Sequence, residues 1–211
     1  MECIIISNGS FIDYQWAAEL INNHDMIICA DGGAKHLFNM DLLPHYIMGD
    51  LDSIDLDTKT YYVGQNVKFI EYPIEKDFTD TELAIDYAIR NGAKKITLLG
   101  ATGSRLDHTL ANITLLVTLL DREIEGKIID NHNEITVTKN SVEVTGKPGD
   151  LLSILPLCDI VEGVSLIGLE YPLDNFTLKM GSSIGISNKF VNTKAKIMIK
   201  SGKLLIIKAR D

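Results

Sequence analysis

Residues 95–121 read KITLLGATGSRLDHTLANITLLVTLLD. An apolar run, Lys95–Leu99, breaks into a glycine-rich turn, Gly100-Ala101-Thr102-Gly103-Ser104-Arg105. Leu106, Leu110, Ile113, Val117 and Leu120 then recur three or four positions apart, the spacing of a buried helical stripe. The segment is therefore strand, turn and helix. Its strand is apolar throughout rather than alternating, as expected when helices cover both faces of a sheet.

The pattern extends to both sides. Cys3–Ile6, Met26–Ala30, Tyr46–Met48, Val67–Tyr72 and Lys127–Ile129 are further strand candidates. Tyr14, Ala17, Ala18 and Ile21 outline one helix, and another runs from Thr79 to Gly92. Thr79 and Glu82 have capping-box spacing, and Gly92 suits the position after a helix end. Strands alternating with helices predict a mainly parallel, helix-covered α/β domain over residues 1–131.

After Asp130 the helical period disappears. Glu134–Thr138, Leu151–Leu155, Ile160–Ile167, Phe176–Lys179, Ile184–Ile186, Lys196–Ile199 and Leu204–Ile207 are short β-prone runs separated by turn residues. A small all-β sandwich over residues 132–211 is expected.

Composition narrows the function classes. The chain has 211 residues, 45% hydrophobic and 23% charged, so it can bury a core without staples. A net charge of −9 argues against a nucleic-acid partner, which needs clustered Lys and Arg. No apolar stretch is long enough for a membrane span, and MECIIISNGS lacks the basic start of a signal peptide. Cys3, Cys29 and Cys158 form no CxxC pair and fit a reducing cytoplasm. A cytoplasmic enzyme is the expectation.

The chemistry sits where strands end. The first five strand candidates lead into Ser7-Asn8-Gly9, Asp31-Gly32-Gly33, Gly49-Asp50-Leu51-Asp52-Ser53, Lys76-Asp77-Phe78-Thr79-Asp80 and Gly100–His108. Ligands of open parallel sheets bind outside the carboxyl ends of the strands. Asp50 and Asp52 project to one side, because side chains alternate along an extended chain. Two carboxylates that close repel each other unless a cation lies between them or one holds a proton. Magnesium, which takes carboxylates, phosphates and water, is the expected ion. A turn in which both aspartates cap backbone amides is the simpler alternative. Asp80 is the expected third metal carboxylate, although first-turn capping also accounts for it. Lys76 and Asp77 beside it point to phosphate contact from Lys76. Gly100, Thr102 and Gly103 let backbone amides approach phosphate, and Arg105 binds phosphate bidentately. His108 and Asn112 share one helical face, and a structural role fits His108 equally well.

Together, ADGGA at 30–34, GDLDS at 49–53, KDFTD at 76–80, GATGSRLDHTLAN at 100–112, GISN at 185–188 and the ending SGKLLIIKARD resemble the thiamine pyrophosphokinase family in order and spacing. The resemblance covers essentially the whole chain. It implies pyrophosphoryl transfer from ATP to the hydroxyl of thiamine, releasing AMP, by a homodimer with active sites at the subunit interface. It also implies Asp50, Asp52 and Asp80 as magnesium ligands. Asp31, Gly32, Gly33, Lys76, Asp77, Thr79, Gly100, Thr102, Gly103, Arg105, Asp107 and His108 become the nucleotide and phosphate set. Ser187 and Asn188 become thiamine contacts. Asp107 is preferred over Asp80 as the base, since a metal ligand makes a weaker one. Where relatives carry Glu after Ser-Asn, this chain has Lys189, and its last strand lacks an aromatic residue for the pyrimidine. A metal-dependent phosphohydrolase fits Gly49–Ser53 alone, and a non-catalytic nucleotide-binding module is the other alternative.

Overall fold

A computed structural model describes residues 1–10, 13–75 and 77–210. Lys76 lies outside the described residues. The chain divides into two compact units, Met1–Asn131 and His132–Asp211.

In the first unit the apolar runs become strands: β1 (Glu2–Ile6), then helix α1 (Tyr14–Ile21), then β2 (Met26–Ala30). Asp13 starts α1 by accepting a 3.0 Å bond from the Trp16 amide. A tight turn over Asp31–Gly33 leads into α2 (Ala34–Phe38), followed by β3 (Tyr46–Gly49), α3 (Leu56–Gly64) and β4 (Lys68–Glu71). The unit continues with α4 (Asp80–Arg90), β5 (Lys95–Leu99), α5 (Leu106–Asp121) and β6 (Glu125–Ile129). Every strand pair is parallel, in the order β6-β5-β1-β2-β3-β4. Ile4, Ile5, Ile6, Ile28, Cys29, Ile47, Met48 and Leu98 are completely buried, consistent with cover on both faces.

Helices α2 and α3 carry no stripe that sequence reading would detect. α2 spans one turn, and α3 buries only Thr58 and Tyr62. Its start is set by Asp55, which accepts 2.9 Å bonds from the Thr58 amide and hydroxyl. Those bonds hold the Asp55 carboxyl below its usual range.

The second unit contains β7 (Asn133–Thr138), β8 (Val142–Thr145), β9 (Leu151–Pro156), β10 (Ile160–Ile167), β11 (Leu173–Lys179), β12 (Asn188–Lys189), β13 (Lys194–Met198) and β14 (Leu204–Ala209). They form antiparallel layers β12-β9-β14-β7 and β11-β10-β13-β8. Leu152, Ile154, Leu204 and Ile206 pack against Val161, Val164, Leu166, Leu178 and Ile197 to make the sandwich core. The expected strand Ile184–Ile186 is instead a turn. Positive φ at Gly181 (86°), Gly185 (94°) and Ser187 (54°) prevents an extended path there. Strand β8, which pairs with β13, had been missed.

Candidate active site

Chain direction creates the site. From β1 the sheet grows through β2, β3 and β4 to one side, and then β5 and β6 add on the other side of β1. The loops after β1 and β5 therefore leave in opposite directions, opening a crevice at their carboxyl ends. A cavity of about 470 Å³ occupies that place.

The two loops are knitted together. The Ser7 amide donates to the Leu99 carbonyl at 2.8 Å, and the Gly9 amide donates to the Gly100 carbonyl at 2.7 Å. A β-carbon at Gly9 would overlap the carbonyl oxygens of Thr102 and Gly100, so only glycine fits. Gly33 is confined in the same way by the Ile6 carbonyl, which explains part of the Asp31-Gly32-Gly33 turn. Gly32 and Gly33 are buried supports rather than lining groups.

Asp31, Thr79, Asp80, Gly100, Thr102, Gly103, Arg105 and His108 line the cavity, as the sequence had suggested. Ser7, Asn8, Gly9 and Ser10 also line it, as do Ser53, Thr81, Ser104, Thr109 and Asn112. Ser7, Asn8, Gly9, Ser53 and Ser104 belong to the strand-end segments expected to face the site, without individual roles. Bringing the Ser7–Ser10 and Gly100–Arg105 loops to one cavity depends on β1 lying beside β5. Ser7 and Thr81 share a 2.9 Å hydroxyl bond that ties β1 to the first turn of α4.

The acidic centre differs in detail from the expected trio of Asp50, Asp52 and Asp80. Ligand oxygens of Asp31, Asp50 and Asp52 lie within 4.8 Å of one another. Asp80 stands beside them: a β-carbon built on Gly49 would be 3.0 Å from both the Asp80 Oδ1 and the Asp31 Cβ. Asp31 thus joins the metal candidates although the sequence had placed it with the nucleotide set. Asp31 (φ 45°) and Leu51 (φ 63°) adopt the left-handed conformation, and Gly49 has φ 147°. Such strain collects at functional sites. Asp31 Oδ1 is buried without a hydrogen-bond partner, an arrangement costly for a carboxylate unless a cation completes it. The donors are all hard oxygens, so the set fits magnesium. The capping alternative is realised in part, since Asp50 Oδ1 accepts from the Asp52 amide at 3.3 Å.

Thr79 caps α4 by accepting from the Glu82 amide at 3.2 Å. Helix α5 begins at Leu106 with no side-chain cap from Arg105 and offers its positive end to an anion. Arg105 is bound to Asp107 on the surface, Nη2 to Oδ2 at 2.6 Å and Nε to Oδ1 at 3.3 Å. The guanidinium holds the Asp107 carboxyl below its ordinary range and so makes it a weaker base. Asp107 does not line the cavity, and neither does the exposed Asp77.

In the second unit, Ser187 is exposed, and its amide donates to Ser153 Oγ at 3.0 Å. Asn188 faces inward. Its Oδ1 accepts from the Tyr171 and Lys189 amides at 3.0 and 2.9 Å, and its Nδ2 donates to the Tyr171 carbonyl at 2.7 Å. The amide therefore braces the backbone on either side of the exposed Tyr171 ring. Lys189 is exposed.

Similarity to known proteins agrees with this arrangement. Residues 17–128 match the family model for the thiamin pyrophosphokinase catalytic domain, and residues 132–204 match that for the thiamin pyrophosphokinase vitamin B1 binding domain. Thiamine pyrophosphokinase from Bacillus subtilis is 29% identical over 192 residues, covering 90% of each chain. A crystal structure of the Bacillus subtilis protein covers all of both chains with a TM-score of 0.91 at 26% identity. A thiamin pyrophosphokinase structure from Geobacillus thermodenitrificans covers 100% of this chain and 98% of its own, with a TM-score of 0.87 at 28% identity. With both of its units matched in order, the chain belongs to the thiamin pyrophosphokinase family.

Proposed function

We propose that this chain transfers a pyrophosphoryl group from magnesium-ATP to the hydroxyl of thiamine, giving thiamine diphosphate and AMP. The observation that carries the reading is the meeting of Asp31, Asp50 and Asp52 beside a hydroxyl-rich cavity at the β1–β5 crevice. The family match supports the choice of acceptor and favours neither a phosphohydrolase nor a non-catalytic module.

Asp31, Asp50 and Asp52, with Asp80 beside them, would hold the magnesium ion. When bound, the ion supplies positive charge to phosphate oxygens as negative charge develops on them. Arg105 and the positive end of α5 hold the rest of the phosphate chain. The thiamine oxygen bonds to the β-phosphorus, the bond from that phosphorus to the α–β bridging oxygen breaks, and AMP leaves. The hydroxyl proton passes to solvent water as the new bond forms. A loose transition state asks little of a base, so alignment and charge do most of the work. Asp107 keeps Arg105 oriented rather than taking that proton.

The thiamine reading for the second unit rests on the exposed Ser187 and on Tyr171, an exposed aromatic residue whose backbone Asn188 holds. The family resemblance supports a homodimer in which this unit of one copy serves the crevice of another. A cytoplasmic address belongs to the same proposal and is supported by three free cysteines. Burial pushes the Cys3 thiol up to about 12, which keeps it unreactive. Among the described residues, no helix is long and apolar enough to cross a membrane.

The test is an assay of purified protein with ATP, magnesium and thiamine, its products identified by mass spectrometry. Thiamine diphosphate and AMP in equal amounts support the proposal. ADP or free phosphate formed without thiamine overturns it.

A further inference from the structure

Thr102 lines the cavity, and its hydroxyl donates to Asp130 Oδ2 at 2.8 Å. Asp130 follows β6 directly, and Leu99 is the register partner of Ile129, so Gly100 and Asp130 leave adjacent strands side by side. A hydroxyl has one proton. With that proton engaged by a carboxylate, Thr102 Oγ1 has only lone pairs left for anything else it meets. It is the wrong partner for a phosphate oxygen, which also accepts, and the right partner for a ligand O–H.

Asn112, buried on the same wall, adds a second acceptor: its Nδ2 spends one of two N–H groups on the Ala101 carbonyl at 2.8 Å, and its Oδ1 is able to accept. The order of strands then gives the crevice a direction. Carboxylates cluster after β2 and β3, the anion-receiving loops follow β1 and β5, and the acceptor pair lies toward β6. From β2 to β6 is three strand intervals, roughly 14 Å at about 4.8 Å each. A nucleotide whose terminal phosphates sit at the acidic end would bring its sugar to the other.

We infer that Thr102, oriented by Asp130, accepts a hydrogen bond from a ribose hydroxyl of the nucleotide and makes the site selective for ribonucleotides over deoxyribonucleotides. This rests on the reading of the crevice as a nucleotide site. Thr102 is then a specificity-determining contact and Asp130 a positioning residue. Exchange of the acceptor for a methyl group leaves the sugar hydroxyl facing an apolar surface.

The experiment is calorimetry with AMP, 2′-deoxy-AMP and 3′-deoxy-AMP, on the full chain and on Thr102→Val, Thr102→Ser and Asp130→Asn. The wild-type protein is expected to bind one of the deoxy analogues about tenfold more weakly than AMP, the worth of one hydrogen bond. Thr102→Val abolishes that difference, Thr102→Ser retains it, and Asp130→Asn narrows it. Equal binding of AMP and both analogues by the wild-type protein overturns the inference while leaving the nucleotide site intact. An undiminished ratio in Thr102→Val overturns it as well. Failure of both AMP and magnesium-ATP to bind removes the nucleotide site itself and the inference with it.

Discussion

Asp31 and Asp80 close on Gly49 from neighbouring elements, the Cβ of one and the Oδ1 of the other each 3.0 Å from the place a Gly49 side chain would begin. Glycine there serves two ends, since φ is also 147°. Replacement by alanine must both strain the backbone and push the carboxylates apart. Gly49→Ala is expected to lose roughly 1–3 kcal/mol of stability, read by urea denaturation, and most of its turnover. A variant with unchanged activity would show that the two aspartates need not lie close.

The acidic centre makes a second prediction. Asp50→Asn/Asp52→Asn should lower turnover by about 10² or more while the far-ultraviolet circular dichroism stays unchanged. Magnesium added to the wild-type protein should raise its Tm through binding to the folded state, and Asp31→Asn should reduce that rise. Equal magnesium shifts in both proteins would remove Asp31 from the ligand set.

Asp107 separates a positioning role from proton transfer. A true general base contributes about 10²–10⁴ in rate. Asp107→Asn, which can still accept a bond from Arg105, should keep turnover within about tenfold of wild type. Arg105→Lys should instead raise the KM for ATP, because an ammonium cannot reproduce two-point phosphate binding. A hundredfold loss in Asp107→Asn would return the base role to it.

Ser187 and Asn188 should part company on mutation. Asn188→Ala leaves the part-buried Tyr171 backbone groups without their partners, empties the buried site of the amide, and is expected to cost roughly 1–3 kcal/mol of stability. Ser187→Ala should leave stability within about 0.5 kcal/mol and raise the KM for thiamine, as should Tyr171→Ala. Thiamine kinetics unaffected by both surface changes would move the vitamin site elsewhere.

His36 offers a pH signature. Burial, with Lys35 adding to it, lowers the pKa of its imidazole, while the Gly9 carbonyl acts in the opposite sense. Its Nδ1 lies 3.2 Å from the Tyr14 hydroxyl. Because the unfolded chain takes up this proton more readily, stability is full above the ordinary histidine pKa of about 6.5 and declines as pH falls below it. Urea denaturation between pH 5.5 and 7.5 should show the decline, and His36→Asn should flatten it.

Strand positions in the first unit were legible because uninterrupted runs such as Met26–Ala30 have one solution, burial on both faces. The Thr79 cap was legible for a local reason, its three-residue spacing to Glu82. Helix α3 was not, since Leu56 and Val63 are exposed and its apolar periodicity is weak. The carboxylates at 50, 52 and 80 could be named from sequence. That Asp31 completes the tight trio could not, because it depends on β2 lying beside β3. The inward facing of Asn188 was hidden for a similar reason: a polar residue in a suggestive motif does not disclose which way it points.

The bond from Gly9 to Gly100 has a consequence for how a nucleotide is received. Two loops separated by some ninety positions along the chain have already lost their independence before any ligand arrives. Little ordering entropy then remains to be spent on them at encounter. Slow solvent exchange of the Gly9 amide proton would be the visible sign of a cradle built in advance rather than one assembled around its guest.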